Sequence, residues 1–270
     1  MADPKHDPKK AIAPLPPLNH ELAELPKMSA ADLALMGGGM DSEDIAVPRL
    51  VILQSLSPEV TTERTGQPGD FYLKGLNLNL GRGPIEIIPL MRSKTRLRWK
   101  SMEQGGGIIC QSHDGVTGVG EPGGNCGTCT KKDWVHKDPK TGKLKPDCDL
   151  NQNVFCVLRG QSDWVPVAFS GSRTRLKAFK VLNSLLMIEL NKGRPIFSKC
   201  YAVKSVTRNS GAIIYQAFTI SPGNNNQLLP PAEQKKAWDF FQGIKGKKLI
   251  VTADDDEMGI PAEAHEGPSI

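Results

Sequence analysis

No stretch of this 270-residue chain approaches the roughly 18 consecutive apolar residues that a membrane-spanning helix needs, which excludes an α-helical integral membrane protein. The start of the chain carries no charged-then-apolar secretory pattern, so we expect a cytoplasmic protein with reduced cysteines. The motifs of several enzyme classes are also missing. There is no G-x-x-x-x-G-K-[ST] phosphate loop, no G-x-S-x-G elbow and no H-E-x-x-H metal site. A zinc deaminase needs a catalytic glutamate two residues after its ligating histidine, but His113 is followed by Asp114 and Gly115. We therefore expect a binding protein and not an enzyme. Aromatic residues make up only 6% of the chain, so each one near a candidate binding surface carries weight.

What the chain does have is an uneven distribution of charge. The formal net charge is +5, yet residues 1–91 carry 8 basic and 12 acidic groups, residues 92–208 carry 21 and 9, and residues 252–270 carry no basic and 6 acidic groups. A basic middle of this strength is an electrostatic footprint for nucleic acid. Its centre is the run Arg92, Lys94, Arg96, Arg98 and Lys100, which alternates with Thr95, Leu97 and Trp99. Successive side chains of a strand point to opposite faces, so the five cations should share one face and the apolar residues the inside of a sheet. Like charges on neighbouring positions repel, and a polyanion lying across them is the simplest explanation. A solvated edge strand guarded against aggregation is the competing one.

The second signal is the set Cys110, Cys126, Cys129 and Cys148 around a glycine-rich segment. A C-x2-C knuckle puts two thiolates on one turn and needs two further ligands, for which Cys110 and Cys148 are the candidates in a tetrahedral Zn2+ site. His113 and His136 lie near enough in sequence to replace one thiolate. A redox pair or disulfides are the other readings of the same cysteines. Cys156 and Cys200 sit in apolar strands and read as small core residues.

The remaining chain reads as a mainly β body with flexible ends: a Pro/Gly-rich arm over 1–40, a nucleic-acid-binding core over 41–251 with its zinc loop at about 105–150, and an acidic tail over 252–270. A short helix is expected at 29–36. Strands are expected at 45–53, 69–73, 85–90, 93–102, 107–111, 153–159, 164–170, 196–206, 213–220 and 248–252, with Pro48 arguing for an edge position. Many short strands joined by glycine-rich turns suggest a barrel or sandwich. One helix starts after Ser172 as a possible cap, carries the stripe Leu176, Phe179, Leu182, Leu186 and Leu190, and stops near Gly193. Arg173, Arg175 and Lys177 at its start oppose the helix dipole, an arrangement that a bound phosphate would make favourable and that solvent could also tolerate.

Lys131, Lys132 and Trp134, beside the knuckle, offer phosphate contacts and a base-stacking ring, as Trp99 does on the basic strand. Phe71, Tyr72, Trp164, Tyr201 and Tyr215 are further aromatic candidates, each with a core role as the alternative. The acidic run Asp254, Asp255, Asp256 and Glu257 reads as a solubilising tail, as a competitor for the basic face, or as a docking segment for replication or recombination proteins.

Taken in order, Val47-Pro48-Arg49, Gly69-Asp70-Phe71, Ile85-Glu86-Ile87-Ile88-Pro89-Leu90, Arg98-Trp99, Cys110 to Asp114-Gly115, the Cys126/Cys129 knuckle with Trp134, and Cys148 resemble single-stranded DNA-binding proteins of tailed bacteriophages. The resemblance covers roughly residues 45–220. It implies an oligonucleotide-binding (OB-like) barrel with an inserted zinc loop and one or two packed helices, coating single strands during phage DNA replication or recombination. The design is similar to that of the T-even helix-destabilising protein, which also combines such a barrel with zinc and an acidic tail. That protein has a histidine among its zinc ligands, so the choice between Cys148 and His113 or His136 stays open. From another class, a zinc-ribbon transcription factor or a host RNA polymerase modulator would use a similar basic, metal-stapled module on duplex DNA or a protein partner.

Overall fold

The structure, a computed structural model, describes residues 47–100, 105–137, 142, 144–160, 164, 166–210 and 213–245. The helix expected at 29–36, the strand expected at 248–252, the arm and the acidic tail lie outside them. The strands are β1 (Arg49–Ile52), β2 (Phe71–Lys74), β3 (Leu78–Gly81), β4 (Ile85–Trp99), β5 (Ile108–Ser112), β6 (Thr117–Gly120), β7 (Gly124–Asn125), β8 (His136–Lys137), β9 (Leu144–Lys145), β10 (Cys148–Arg159), β11 (Pro166–Ser172), β12 (Tyr201–Ser210) and β13 (Ile213–Pro222). The helices are α1 (Pro58–Thr61), α2 (Leu176–Asn191) and α3 (Pro231–Ile244).

The protein is mainly β. Its sheet is mixed and not closed: the path runs β3-β2-β1-β11-β10-β4-β5-β6-β7, and the β12-β13 hairpin joins through β12 to the start of β4. β1 lies parallel to β11 and every other pairing is antiparallel. Pro48 therefore does not mark an edge. It precedes an interior strand, and its carbonyl accepts from Ala168 N at 2.8 Å. Where β13 passes β1 without pairing, the Gln54 side chain bridges them, donating to Gln216 O at 3.0 Å and accepting from Gln216 N at 2.9 Å.

The segments 85–90 and 93–102, expected as two strands, are one long strand with a bulge. Met91 pairs with Phe155 but Pro89 pairs with Cys156, so Leu90 is an extra residue on β4. An inserted residue shifts the alternation by one position. Before the bulge Ile87 faces the first core cluster, with Leu158, Cys156 and Val167, while Ile88 and Leu90 face the second, with Val157 and Phe197. After it, Arg92 stands opposite Val154, a residue of the first cluster. The cationic face is thus the continuation of the inner, core-bearing face. The expectation that Thr95, Leu97 and Trp99 line the inside of the sheet is reversed, because the bulge lies upstream of an otherwise regular pattern.

Helix α2 closes the first cluster with Phe179, Leu182 and Leu186. The Phe179 ring meets Phe169 and Phe218 at centroid distances of 5.2 and 5.8 Å, and burial of each such ring contributes about 1.5–3 kcal/mol. Gly171 allows this approach, since a Cβ there would stand 2.3 Å from Phe179 Cε2. Helix α3 covers the second cluster with Ala237, Phe240, Phe241 and Ile244. Cys156 and Cys200 are fully buried in the two clusters, as their apolar settings suggest.

The apolar stripe of α2 ends one residue early. Leu190 is exposed and Glu189 takes the buried position. Its carboxylate meets Lys199 Nζ at 3.1 Å, Arg194 Nη1 at 3.3 Å and Lys192 Nζ at 3.6 Å, which ties the helix end to the segment entering β12. Burial alone would raise its pKa, but the hydrogen bond and charge of Lys199, with Arg194 and Lys192, hold it below the ordinary value of 4.5. A carboxylate depressed in the folded state stabilises the fold above its unfolded pKa and loses that stabilisation as pH falls through the folded value. We expect a Glu189→Gln variant to lose thermal stability at neutral pH, and its deficit against the parent to narrow below about pH 4.5, as read from melting curves over pH.

Candidate nucleic-acid interface and metal centre

Pairing register fixes which cations share a face. Across β4 and β10, Arg92 stands opposite Val154, Lys94 opposite Gln152, Arg96 opposite Leu150 and Arg98 opposite Cys148. Residues directly opposite in an antiparallel pair project to the same side, so these four cations form one row. Lys100 lies past the end of β4, beyond a second register shift at Arg98/Trp99. Edge protection does not account for Arg96 and Arg98, because β4 is paired there with β10 on one side and β5 on the other.

The row divides into two environments. Its far half runs into the cysteines, since Arg98 is flanked by Cys148 on β10 and Cys110 on β5. Cys110, Cys126, Cys129 and Cys148 line one cavity of about 20 Å³, together with Arg96, Arg98, Lys131 and Lys132. That volume is close to what a single water molecule or ion needs. All four are free thiols. A methyl group at Gly118 would stand 3.2 Å from Cys110 Sγ and 3.5 Å from Cys126 Sγ, so glycine there leaves the space between the sulfurs open. Burial pushes the Cys148 thiol up, opposed by the charge and hydrogen bond of Arg96 and reinforced by Cys126 and Cys110. Among the described residues no three His, Cys, Asp or Glu side chains already stand in metal-ligating geometry. His113 is exposed on the turn after β5 and does not line the cavity, and the side chain of His136 lies outside the described residues.

The donor set nonetheless fits a zinc ion. Four thiolates around Zn2+ carry a net charge of about −2, and four cations line the same cavity. Arg98 donates to Glu121 O at 3.0 Å, Lys131 pairs with Asp147 at 3.4 Å, and Lys132 pairs with Asp133 at 2.9 Å. From the sequence alone these cations are expected on phosphates. The pairing of Arg98 with Cys110 includes a register shift between Arg98 and Trp99, so reflecting the two expected strands about the glycine-rich turn at 105–107 does not give it.

The near half of the row is open. Arg92 and Lys94 line a groove of about 350 Å³ with Gln152, Asn183 and Asp114. Here β4 is paired only with β10, because β12 engages it at Ile85–Ile87 and its pairing with β5 starts at Arg96. The Lys94 side chain has no ion pair or hydrogen bond among the described residues. Arg92 donates to the neutral amide oxygen of Asn183, and so keeps its charge uncompensated by that contact.

The helix start differs from expectation. Arg173–Arg175 form a separate 3-10 turn, Ser172 makes no side-chain cap, and α2 begins at Leu176. Arg173 Nη2 binds Asp149 Oδ2 on β10 at 2.6 Å, with the arginine side chain still largely exposed. Arg175 is half-buried beneath Gly171, and Lys177 alone of the three is an exposed cation on the first turn of α2. Among the aromatics, Trp134 is 63% exposed beside the cysteines and Trp99 is half-buried. Phe71, Tyr72 and Tyr201 are core residues, and Trp164 packs on Phe240 beneath Lys236. No helix among the described residues is long and apolar enough to cross a membrane.

A family model described as Pam3 phage gp34-like protein matches residues 21–249. The chain belongs to that phage protein family. No curated protein and no solved structure matches it.

Proposed function

We propose that this phage-family protein binds single-stranded DNA during phage DNA replication or recombination, without catalytic activity of its own, and carries one structural Zn2+ on Cys110, Cys126, Cys129 and Cys148. The observation that carries the reading is the row Arg92, Lys94, Arg96 and Arg98, which extends an apolar inner face as a cationic one. Single strands are bound by such cationic grooves lined with rings, and Trp134, exposed in the cysteine module, and Trp99, half-buried at the end of β4, are the rings proposed to stack bases. An OB-like description of the body is supported by connectivity. A long bulged strand, β4, is followed by β10, β11, a helix, β12 and β13, with β12 returning to β4 and the helix lying between the third and fourth strands of that series. The Gln54 bridge between β1 and β13 supports a nearly closed wall.

The test is a titration of single-stranded and duplex oligonucleotides of equal length at several salt concentrations. Preference for the single strand, with affinity falling steeply as salt rises, is the expected result. Preference for duplex, or binding to neither, would favour the zinc-ribbon regulator. The acidic segment from Thr252 is proposed to compete for the basic row or to dock replication or recombination proteins. Its deletion should tighten single-strand binding most at low salt, and the difference should shrink as screening increases.

A further inference from the structure

We propose that the groove between β4, β10 and α2 is a pocket for one nucleotide of the bound strand, in which Arg92 and Lys94 take the phosphate while Asp114 and Gln152 take the polar edge of the base. The inference rests on the single-strand reading and adds a base-contacting site to it. A purely electrostatic track has no use for a carboxylate, because Asp114 repels phosphate. Asp114 nonetheless lines the groove with Arg92 and Lys94.

Its position is built, not incidental. Oδ1 accepts from Val116 N at 2.7 Å, Thr117 N at 2.8 Å and Ser112 Oγ at 2.8 Å. Hydrogen bonds from Thr117, Val116 and Ser112 hold the group charged, with its pKa lowered to about 2. All three bonds fall on one oxygen, so Oδ2 remains to accept from a base N–H, a donor that every nucleobase carries on its pairing edge.

The opposite wall is equally ordered. Gln152 is only 8% exposed, and its Oε1 accepts from Asn183 Nδ2 at 2.6 Å. The remaining amide group of Gln152 is a donor without a hydrogen-bond partner among the described residues. Asn183 in turn accepts from Arg92, so one amide orients both the cation and the base-facing glutamine. A donor and an acceptor fixed across a groove of about 350 Å³ fit a base edge, and two cations at its rim fit the phosphate.

The test uses the full chain and two oligonucleotides of equal length, one natural and one abasic over its central nucleotides. Asp114→Asn keeps an oxygen for the turn but loses the anionic acceptor. It should weaken binding to the natural strand about tenfold and leave the abasic strand unchanged or bound more tightly, since a charged hydrogen bond is lost only where a base is present. Asn183→Ala, on the half-exposed side of α2, should give a smaller loss with the same dependence on the base. If Asp114→Asn tightens binding to both strands alike, or changes neither, the carboxylate serves only its turn and the pocket is overturned while single-strand binding stands. If the parent protein binds no single strand at all, the functional reading itself fails and the pocket with it. Unchanged melting curves for both variants would exclude misfolding as the cause of a loss.

Discussion

Protein purified under reducing conditions should contain one zinc ion per chain, and a Cys126→Ser variant should lose it together with the order of the cysteine module. The expected effect is large because the module has little else to hold it. Val116, Val119, Trp134, Val135 and Leu144 are all exposed, and its strands β6 to β9 are short. Gly120, at φ +111°, lies so close to β5 that a Cβ would stand 2.1 Å from Ile109 O, so the backbone is drawn in tightly around the sulfurs. Structural zinc contributes about 10–16 kcal/mol of binding free energy in small zinc-dependent peptides, more than any other interaction available to a segment without a core. The body is separate in this respect, since both core clusters are built from residues outside the module. Chelation should therefore raise amide exchange across 105–150 and leave β1, β11 and α2 protected. Protein without zinc, or chelation that unfolds the whole chain at once, would contradict the assignment.

Neutralising the two halves of the cationic row should give different outcomes. Arg92→Ala with Lys94→Ala removes charges that face an open groove, so single-strand affinity should fall for all sequences and the salt slope should drop by about 1.4, roughly 0.7 for each phosphate contact. Arg96→Ala with Arg98→Ala removes cations that line the thiol cavity. That variant should also lose zinc more readily to a chelator, because neighbouring cations stabilise thiolates. Measuring affinity and retained zinc on both double variants separates the roles. Equal loss of affinity with unchanged zinc in both would mean that the row acts as one uniform phosphate track.

Much of this arrangement is legible in the sequence because it depends on local periodicity. The alternation at 92–98, the C-x2-C knuckle and the apolar positions 179, 182 and 186 follow from strand and helix geometry alone. The direction of the basic face does not, because it depends on a one-residue bulge at Leu90 that is visible only when β4 is paired with β10. The placement of Arg173 against Asp149 is likewise a long-range pairing that local reasoning does not give. Gln152, Asn183 and Asp114 carry no shared signal, since they come from three separate elements and meet only in the folded chain. Helix α3 escapes a reading by periodicity, because its sequence is polar over much of its length and buries only Ala237 fully.

The most direct measurement is hydrogen exchange of the protein with and without a bound single-stranded oligonucleotide. The account predicts protection concentrated on residues 92–98, on 148–154 and on the first turns of α2, with no comparable change when duplex of the same sequence is added. Protection confined to other surfaces, or the same pattern with duplex, would contradict the claim that the cationic continuation of the inner face is a single-strand binding site.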